Sequence, residues 1–319
     1  MKLSFVTPAK NEEKSIDQLY SEIIANLDNN DYEIIFVDDG SSDNTFEKMQ
    51  QLSLKDDKVK VIKFRKNFGK SAGLQAGFDE ANGDVIFTMD ADLQDNPKEI
   101  PRFINKIDEG YDLVTGWKKK RRDPITKTAP SKFFNRITSN TFKLRLHDYN
   151  CGFKAYRREL VDELDVYGEM HRYIPALAFA KGYRVAEIPV EHRKRQFGKS
   201  KYGIERYLRG FLDLLTVKLV TSYIRSPLYL FGGIGATFGV IGFLIGLYLT
   251  ILKFGFGSSL YNRPLLYLSV LLITIGLQFF SIGLLGELII NQNRKNNKKK
   301  TYSIAETRNI TGKNEGMKE

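Results

Sequence analysis

Two carboxylates stand two residues apart in Asp90-Ala91-Asp92-Leu93-Gln94, directly after the apolar run Val85-Ile86-Phe87-Thr88-Met89. That run is short, β-branched and aromatic and follows the turn pair Gly83-Asp84, so it reads as a buried strand. Two carboxylates so spaced at a strand's end point the same way, toward the lip where open α/β sheets bind ligands. Hard oxygen donors of this kind suit Mg2+ or Mn2+, which are held by one or two carboxylates plus substrate phosphates. Taken alone, the spacing favours an ordinary solvated turn, and the rest of the chain must decide.

Two further loops carry the same kind of chemistry. The first strand runs into Thr7-Pro8-Ala9-Lys10-Asn11-Glu12-Glu13, and the second into Val37-Asp38-Asp39-Gly40-Ser41-Ser42-Asp43. In a parallel sheet both fall on the edge that carries Asp90 and Asp92. A carboxylate there can hydrogen-bond a base imide or a ribose hydroxyl. Asp-Gly-Ser-Ser is also an ordinary turn followed by a helix cap, and for either loop alone that is the better reading.

The elements that must hold these loops alternate. Strands are predicted over 3–7, 33–38, 59–64, 85–89 and 113–116, and helices over 13–27, 44–54, 71–81 and 98–109. Such alternation argues for a mostly parallel central sheet covered by helices. Beyond residue 117 the pattern loosens, with helices near 132–146 and 172–181 and a strand over 183–190. Residues 203–223 read as an amphipathic helix at a membrane interface.

The chain has 319 residues and a net charge of +11, from 49 basic and 38 acidic side chains. That balance calls for an anionic partner: nucleic acid, a phosphorylated substrate or a membrane surface. Cys151 is the single cysteine, so no internal disulfide can form and a reducing compartment is acceptable. The apolar run Leu3-Ser4-Phe5-Val6-Thr7 is too short for a signal-peptide core and fits a first strand. No charge occurs over 228–252, 25 positions, or over 265–286, 22 positions, and roughly 20 apolar residues span a bilayer core. Glycines such as Gly232, Gly235, Gly239 and Gly242 permit close helix contact in lipid. Only Lys253 and Arg263 lie between the two runs, whereas basic residues crowd both flanks, from Lys199 to Arg225 and from Arg294 to Lys300. The positive-inside rule then puts both termini in the cytoplasm of a multi-pass protein of the cell membrane. The expected division is a cytoplasmic domain over 1–200, a juxtamembrane helix over 201–226, transmembrane helices at about 228–252 and 265–288 within 227–290, and a basic, partly ordered tail over 291–319.

Together the three loops resemble the nucleotide-sugar signature of family 2 glycosyltransferases, more narrowly the polyprenyl-phosphate glycosyltransferase and dolichyl-phosphate mannose synthase branch. Asn67-Phe68-Gly69-Lys70 with Gly73 and Gly77 matches that branch as well, as does Asp148 followed by Cys151-Gly152-Phe153-Lys154-Ala155-Tyr156. The resemblance covers about residues 1–290. It implies a GT-A-type α/β domain, a nucleotide-diphosphate sugar donor, a polyprenyl phosphate acceptor and inversion by direct displacement. By position, Pro8, Ala9 and Glu12 would line the base pocket and Asp39 would contact base or ribose. Asp90 and Ala91 would lie against the donor, while Asp90, Asp92 and Gln94 would hold Mg2+ or Mn2+. Lys70 and Lys118 would bind the nucleotide sugar, and Arg195 and Lys201 would lie near its diphosphate, although these last two could equally touch lipid headgroups. Asp92 and Asp148 are the candidate catalytic residues, Asp148 as base or as an orienting group. Lys119, Lys120, Arg121, Arg122, Ser131 and Arg136 fall in a candidate acceptor loop, where an acceptor phosphate at the bilayer surface needs cations.

Two positions depart from the family pattern. Lys10 stands where an aromatic residue is usual, and Trp117-Lys118 stands where a small residue and arginine are common. His147, His171 and His192 lack metal-ligand spacing, and Glu287 ends the second span, where an interfacial carboxylate is cheap. The expected reaction moves glucose or N-acetylglucosamine from a UDP-sugar to undecaprenyl or another polyprenyl phosphate. GDP-mannose is the alternative donor, and a non-catalytic membrane scaffold the alternative class. A processive polysaccharide synthase needs more membrane helices and a Gln-x-x-Arg-Trp motif, and a nucleic-acid binder would not flank spans with its basic residues. A homo-oligomer is compatible with the glycine-rich spans.

Overall fold

The computed structural model describes residues 1–27, 30–119, 135, 138–139, 141–193, 227–257, 259, 264–293 and 304–308. The expected juxtamembrane helix at 203–223 and most of the acceptor loop lie outside them. The chain divides into two compact units, Met1–Val217 with Lys300–Glu319, and Lys218–Lys299.

In the first unit, β1 (Lys2–Ala9), β2 (Asp31–Asp38), β3 (Val59–Phe64), β4 (Val85–Thr88) and β5 (Leu113–Trp117) follow the apolar runs of the sequence. Helices α1 (Ile16–Ile24), α2 (Thr45–Lys55), α3 (Lys70–Glu80) and α4 (Ile100–Asp108) separate them. The sheet order is β7-β5-β6-β4-β1-β2-β3-β8, where β6 is Lys154–Arg157, β7 Val185–Pro189 and β8 Ile304–Arg308. β1 pairs in parallel with β2 and β4, β2 with β3, and β5 with β7; β6 runs antiparallel to β4 and β5, and β8 antiparallel to β3. Register places Ala9 opposite Asp38 and Val6 opposite Thr88, so the three loops leave the sheet side by side. The chain builds outward from β1 through β2 and β3, then returns to β1's other side with β4. That reversal opens the crevice at the carboxyl ends in which α/β sheets take ligands.

The core beneath this edge is aromatic. Phe5 stacks on Phe87 at 5.1 Å, and Phe103 and Phe153 meet at 4.4 Å beside it. Helix α3 lies close against β1: a Cβ on Gly73 would come within 2.9 Å of Pro8, and one on Gly77 would run into Val6. A bare backbone is needed at both positions.

Four elements differ from expectation. β6 and the short α5 (Arg158–Glu163) replace a stretch in which no regular element was read. The helix expected through 146 ends at Lys143, whose φ of +56° breaks it, and 144–146 are not helical. The tail read as partly ordered carries β8, which covers the outer edge of β3. Helix α6 (Ile174–Ala180) and β7 follow the remaining predictions.

The second unit is a helical hairpin, α7 (Pro227–Phe256) and α8 (Pro264–Asn293), each long and apolar enough to cross a membrane. Its helices meet at glycine: a Cβ on Gly235 would lie 2.5 Å from the Gly276 carbonyl oxygen, and one on Gly276 2.6 Å from that of Gly235. Ser269 Oγ donates to the Gly242 carbonyl at 2.8 Å across the same seam. Small residues allow this approach where no hydrophobic effect drives helices together.

Candidate active site

The first two loops are stapled to each other. Asn11, at φ +53°, donates its N–H to Ser41 Oγ at 2.9 Å and accepts from the Ser42 N–H at 2.8 Å. The Glu12 N–H donates to Thr45 Oγ1 at 2.8 Å. Asp39 is buried and accepts the Phe68 N–H at 2.7 Å and the Gly69 N–H at 3.1 Å. Burial raises its carboxyl above the ordinary range, and that of Asp38 with it. The residue expected to meet base or ribose therefore also fixes the loop that presents Lys70. Pro8 packs beside Gly73, and Ala9 and Ala91 are buried.

Asp90 lies at the end of β4 in an ion pair with Lys70. Burial raises its carboxyl, but the ammonium groups of Lys70 and Lys118 outweigh that and hold it well below the usual range. Lys118 is itself held at 3.5 Å from Asp95, a buried carboxylate that also accepts the Asp90 N–H. Lys154 is buried, donates to the Cys151 carbonyl, and is pulled down to about 8 by burial. Gly152 completes the surroundings of Asp90: a Cβ there would meet the carboxylate, 2.6 Å from its Cγ. Asp92 Oδ1 accepts the Gln94 N–H at 3.2 Å, and Gln94 Nε2 donates to the Arg193 carbonyl at 3.4 Å.

Among the described residues, no three His, Cys, Asp or Glu side chains form a protein-only cage for a metal. The donor set instead fits Mg2+ or Mn2+, which take one or two carboxylates and leave their other positions to phosphate and water. The space that Gly152 leaves around the Asp90 carboxylate fits that use too.

Asp148 is 1% exposed and closes its own turn by accepting the Asn150 N–H at 3.1 Å. Its backbone N–H donates to Glu187 Oε1 at 2.8 Å, and the same carboxylate takes the His147 N–H at 2.9 Å and faces His147 Nδ1 at 2.7 Å. His147 in turn stacks on Trp117 at 4.0 Å, which gives the unusual tryptophan a place. Glu187 thus orders the turn that carries Asp148, and sequence alone did not single it out. Glu187→Ala is expected to lower turnover by about tenfold to a hundredfold through misplacement of that turn. Nucleotide affinity should stay within about twofold, since only positioning is lost, and Glu187→Gln should recover part of the rate. Turnover measured beside the nucleotide dissociation constant separates the two effects.

Lys119 lies 5.6 Å over the Trp117 ring. Lys120, Arg121, Arg122, Ser131, Arg136, Arg195 and Lys201 lie outside the described residues. Lys154, Gly152, Asp95 and Glu187 are the site residues that sequence reading assigned no role. The first two stand inside a family-like motif and Asp95 directly follows another, whereas Glu187 lies in the strand expected over 183–190, outside every motif. The other two histidines have contacts of their own: His171 Nδ1 meets Ser71 Oγ at 2.9 Å, and His192 bridges to Asp95 through the backbone. Burial raises the Cys151 thiol to about 12, which makes it a packing group and not a nucleophile.

A family model described as glycosyl transferase family 2 matches residues 4–165. A dodecaprenyl-phosphate galacturonate synthase of Rhizobium johnstonii is 35% identical, over 95% of this chain and 92% of that protein. An undecaprenyl-phosphate 4-deoxy-4-formamido-L-arabinose transferase of Klebsiella pneumoniae is 37% identical, over 90% of this chain and 88% of its own. Among solved structures, glucosyl-3-phosphoglycerate synthase from Mycobacterium tuberculosis superimposes with a TM-score of 0.55 at 18% identity, over 69% of this chain and 79% of that one. The sheet order and this likeness give the first unit a GT-A-like fold.

Proposed function

The chain belongs to glycosyl transferase family 2, and we propose that it moves one sugar from a UDP-sugar to a polyprenyl phosphate at the cytoplasmic face of the cell membrane. Sugar transfer to polyprenyl phosphate is the chemistry named for both relatives, which match nearly the whole chain. The observation that carries the mechanism is the convergence of Asp90 with Lys70, Lys118 and Lys154 where β4 ends.

The acceptor is a phosphate monoester, whose second pKa near ~6 leaves it largely dianionic at neutral pH. One of its oxygens attacks the anomeric carbon; the bond from that carbon to the donor's β-phosphate oxygen breaks, and UDP departs with the electron pair. No proton has to be removed from the nucleophile. The harder task is to bring one anion to another and to stabilise the leaving diphosphate, which falls to the lysines. Asp90 and Asp92 would hold a divalent cation, which would supply further charge neutralisation there. The solved mycobacterial synthase has been crystallised with Mn2+ and UDP, in keeping with such a cation. Asp148, buried in its turn, orients the acceptor side of the site more readily than it removes a proton. The two apolar helices would anchor the enzyme where its lipid substrate lies, with both termini on the cytoplasmic side.

Purified full-length protein, polyprenyl phosphate and Mg2+ or Mn2+ are to be incubated with radiolabelled donors. The set comprises UDP-glucose, UDP-N-acetylglucosamine, UDP-galacturonate, a UDP-formamidopentose and GDP-mannose. Labelled lipid from one UDP-sugar is expected. Label from GDP-mannose alone would overturn the UDP assignment, and no labelled lipid from any donor would sink the transferase reading.

A further inference from the structure

Asp90 is read as a metal-holding carboxylate, yet its partner in this structure is an ammonium from its own chain. Lys70 opens α3 directly after Gly69 and pairs its Nζ with Asp90 Oδ1. Both side chains keep some exposure, 28% and 32%, so the pair lies at the lip and not in the core. The backbone of α3 is pressed against β1 through Gly73 and Gly77, and exchange at Asp90 must come from the Lys70 side chain. The other two ammonium groups acting on Asp90 are engaged elsewhere, Lys118 with Asp95 and Lys154 with the Cys151 carbonyl.

We propose that Lys70 is an internal stand-in for the divalent cation. It occupies Asp90 in the donor-free protein and crosses to the donor's diphosphate when metal and nucleotide arrive together. This rests on the reading of Asp90 as a metal ligand. An ammonium and a divalent cation on one carboxylate oxygen would repel each other strongly. Lysine suits the exchange, being a compact charge on a flexible four-carbon stem. Metal alone must break the ion pair and leave an ammonium unmatched, whereas metal with a nucleoside diphosphate gives that ammonium new anionic oxygens. Metal and nucleotide therefore bind with positive coupling through one side chain, equal in both directions.

The test is a titration of full-length protein with Mn2+, with and without UDP and with no acceptor, following free Mn2+ by electron paramagnetic resonance. Lys70→Gln and Lys70→Met are both expected to tighten binding of Mn2+ alone by about tenfold, and to shrink the gain that UDP brings by a similar factor. Asp90→Asn is expected to abolish that Mn2+ binding. If Asp90→Asn abolishes it but neither Lys70 variant tightens it, the stand-in is wrong and the metal reading survives. If Mn2+ binds with no dependence on Asp90, the metal reading fails and the stand-in with it.

Discussion

Asp92→Ala is expected to lower transfer by about a thousandfold, or about 4 kcal/mol of transition-state stabilisation. The effect is electrostatic. The leaving diphosphate gains charge as the glycosidic bond breaks, and a cation held by Asp90 and Asp92 would stand where that charge appears. In the protein itself Asp92 accepts the Gln94 N–H at 3.2 Å and is partly exposed. Its loss should therefore shift stability by no more than about 0.5 kcal/mol. Turnover measured beside a thermal melt checks both halves. Activity within about tenfold of wild type would remove Asp92 from the metal assignment, because lost metal binding costs far more than that.

The second large effect comes from a residue with no side chain. In Gly152→Ala the new Cβ would meet the Asp90 carboxylate, 2.6 Å from Cγ and 2.9 Å from Oδ1, so the carboxylate must leave its place. Displacement of a reacting-site group by about 1 Å costs on the order of a hundredfold in rate. Overpacking at one methyl costs about 1–3 kcal/mol, which the fold of a domain this size should survive. A double-mutant cycle isolates the cause. In an Asp90→Ala background, where the clashing atoms are gone, Gly152→Ala should cost little further activity. Equal losses in both backgrounds would point to a shift of the 150–154 backbone instead.

β1 to β5 were legible in the sequence because they are apolar runs bounded by turn residues, and such runs have few other fates. β6 was not, since it is four residues long and opens on Lys154, a charge that ordinarily argues against burial. β8 was hidden in the same way, since Ile304–Arg308 lies in a polar, basic tail and gains its partner only through β3. The three strand-end loops were legible as a site, because their spacing combines with a parallel sheet to give one edge. Their internal contacts were not. Nothing in the spacing shows that Lys70 would pair with Asp90, or that Asp39 would take the Phe68 and Gly69 amides. Glu187 was the hardest to foresee, because its role depends on a turn 39 residues earlier in the chain, at Asp148.

Strand β8 gives the helical hairpin a different architectural standing. The chain leaves the sheet after β7, forms α7 and α8, and then re-enters the same sheet beside β3. The hairpin is thus an insertion within the domain's own thread and not an appendage at its end. A sheet cannot be shared across a bilayer, since its edge strands would have to pass unpaired polar groups through hydrocarbon. Two crossings, one by each helix, would return the chain to the side it left, in keeping with the five-residue strand that pairs with β3.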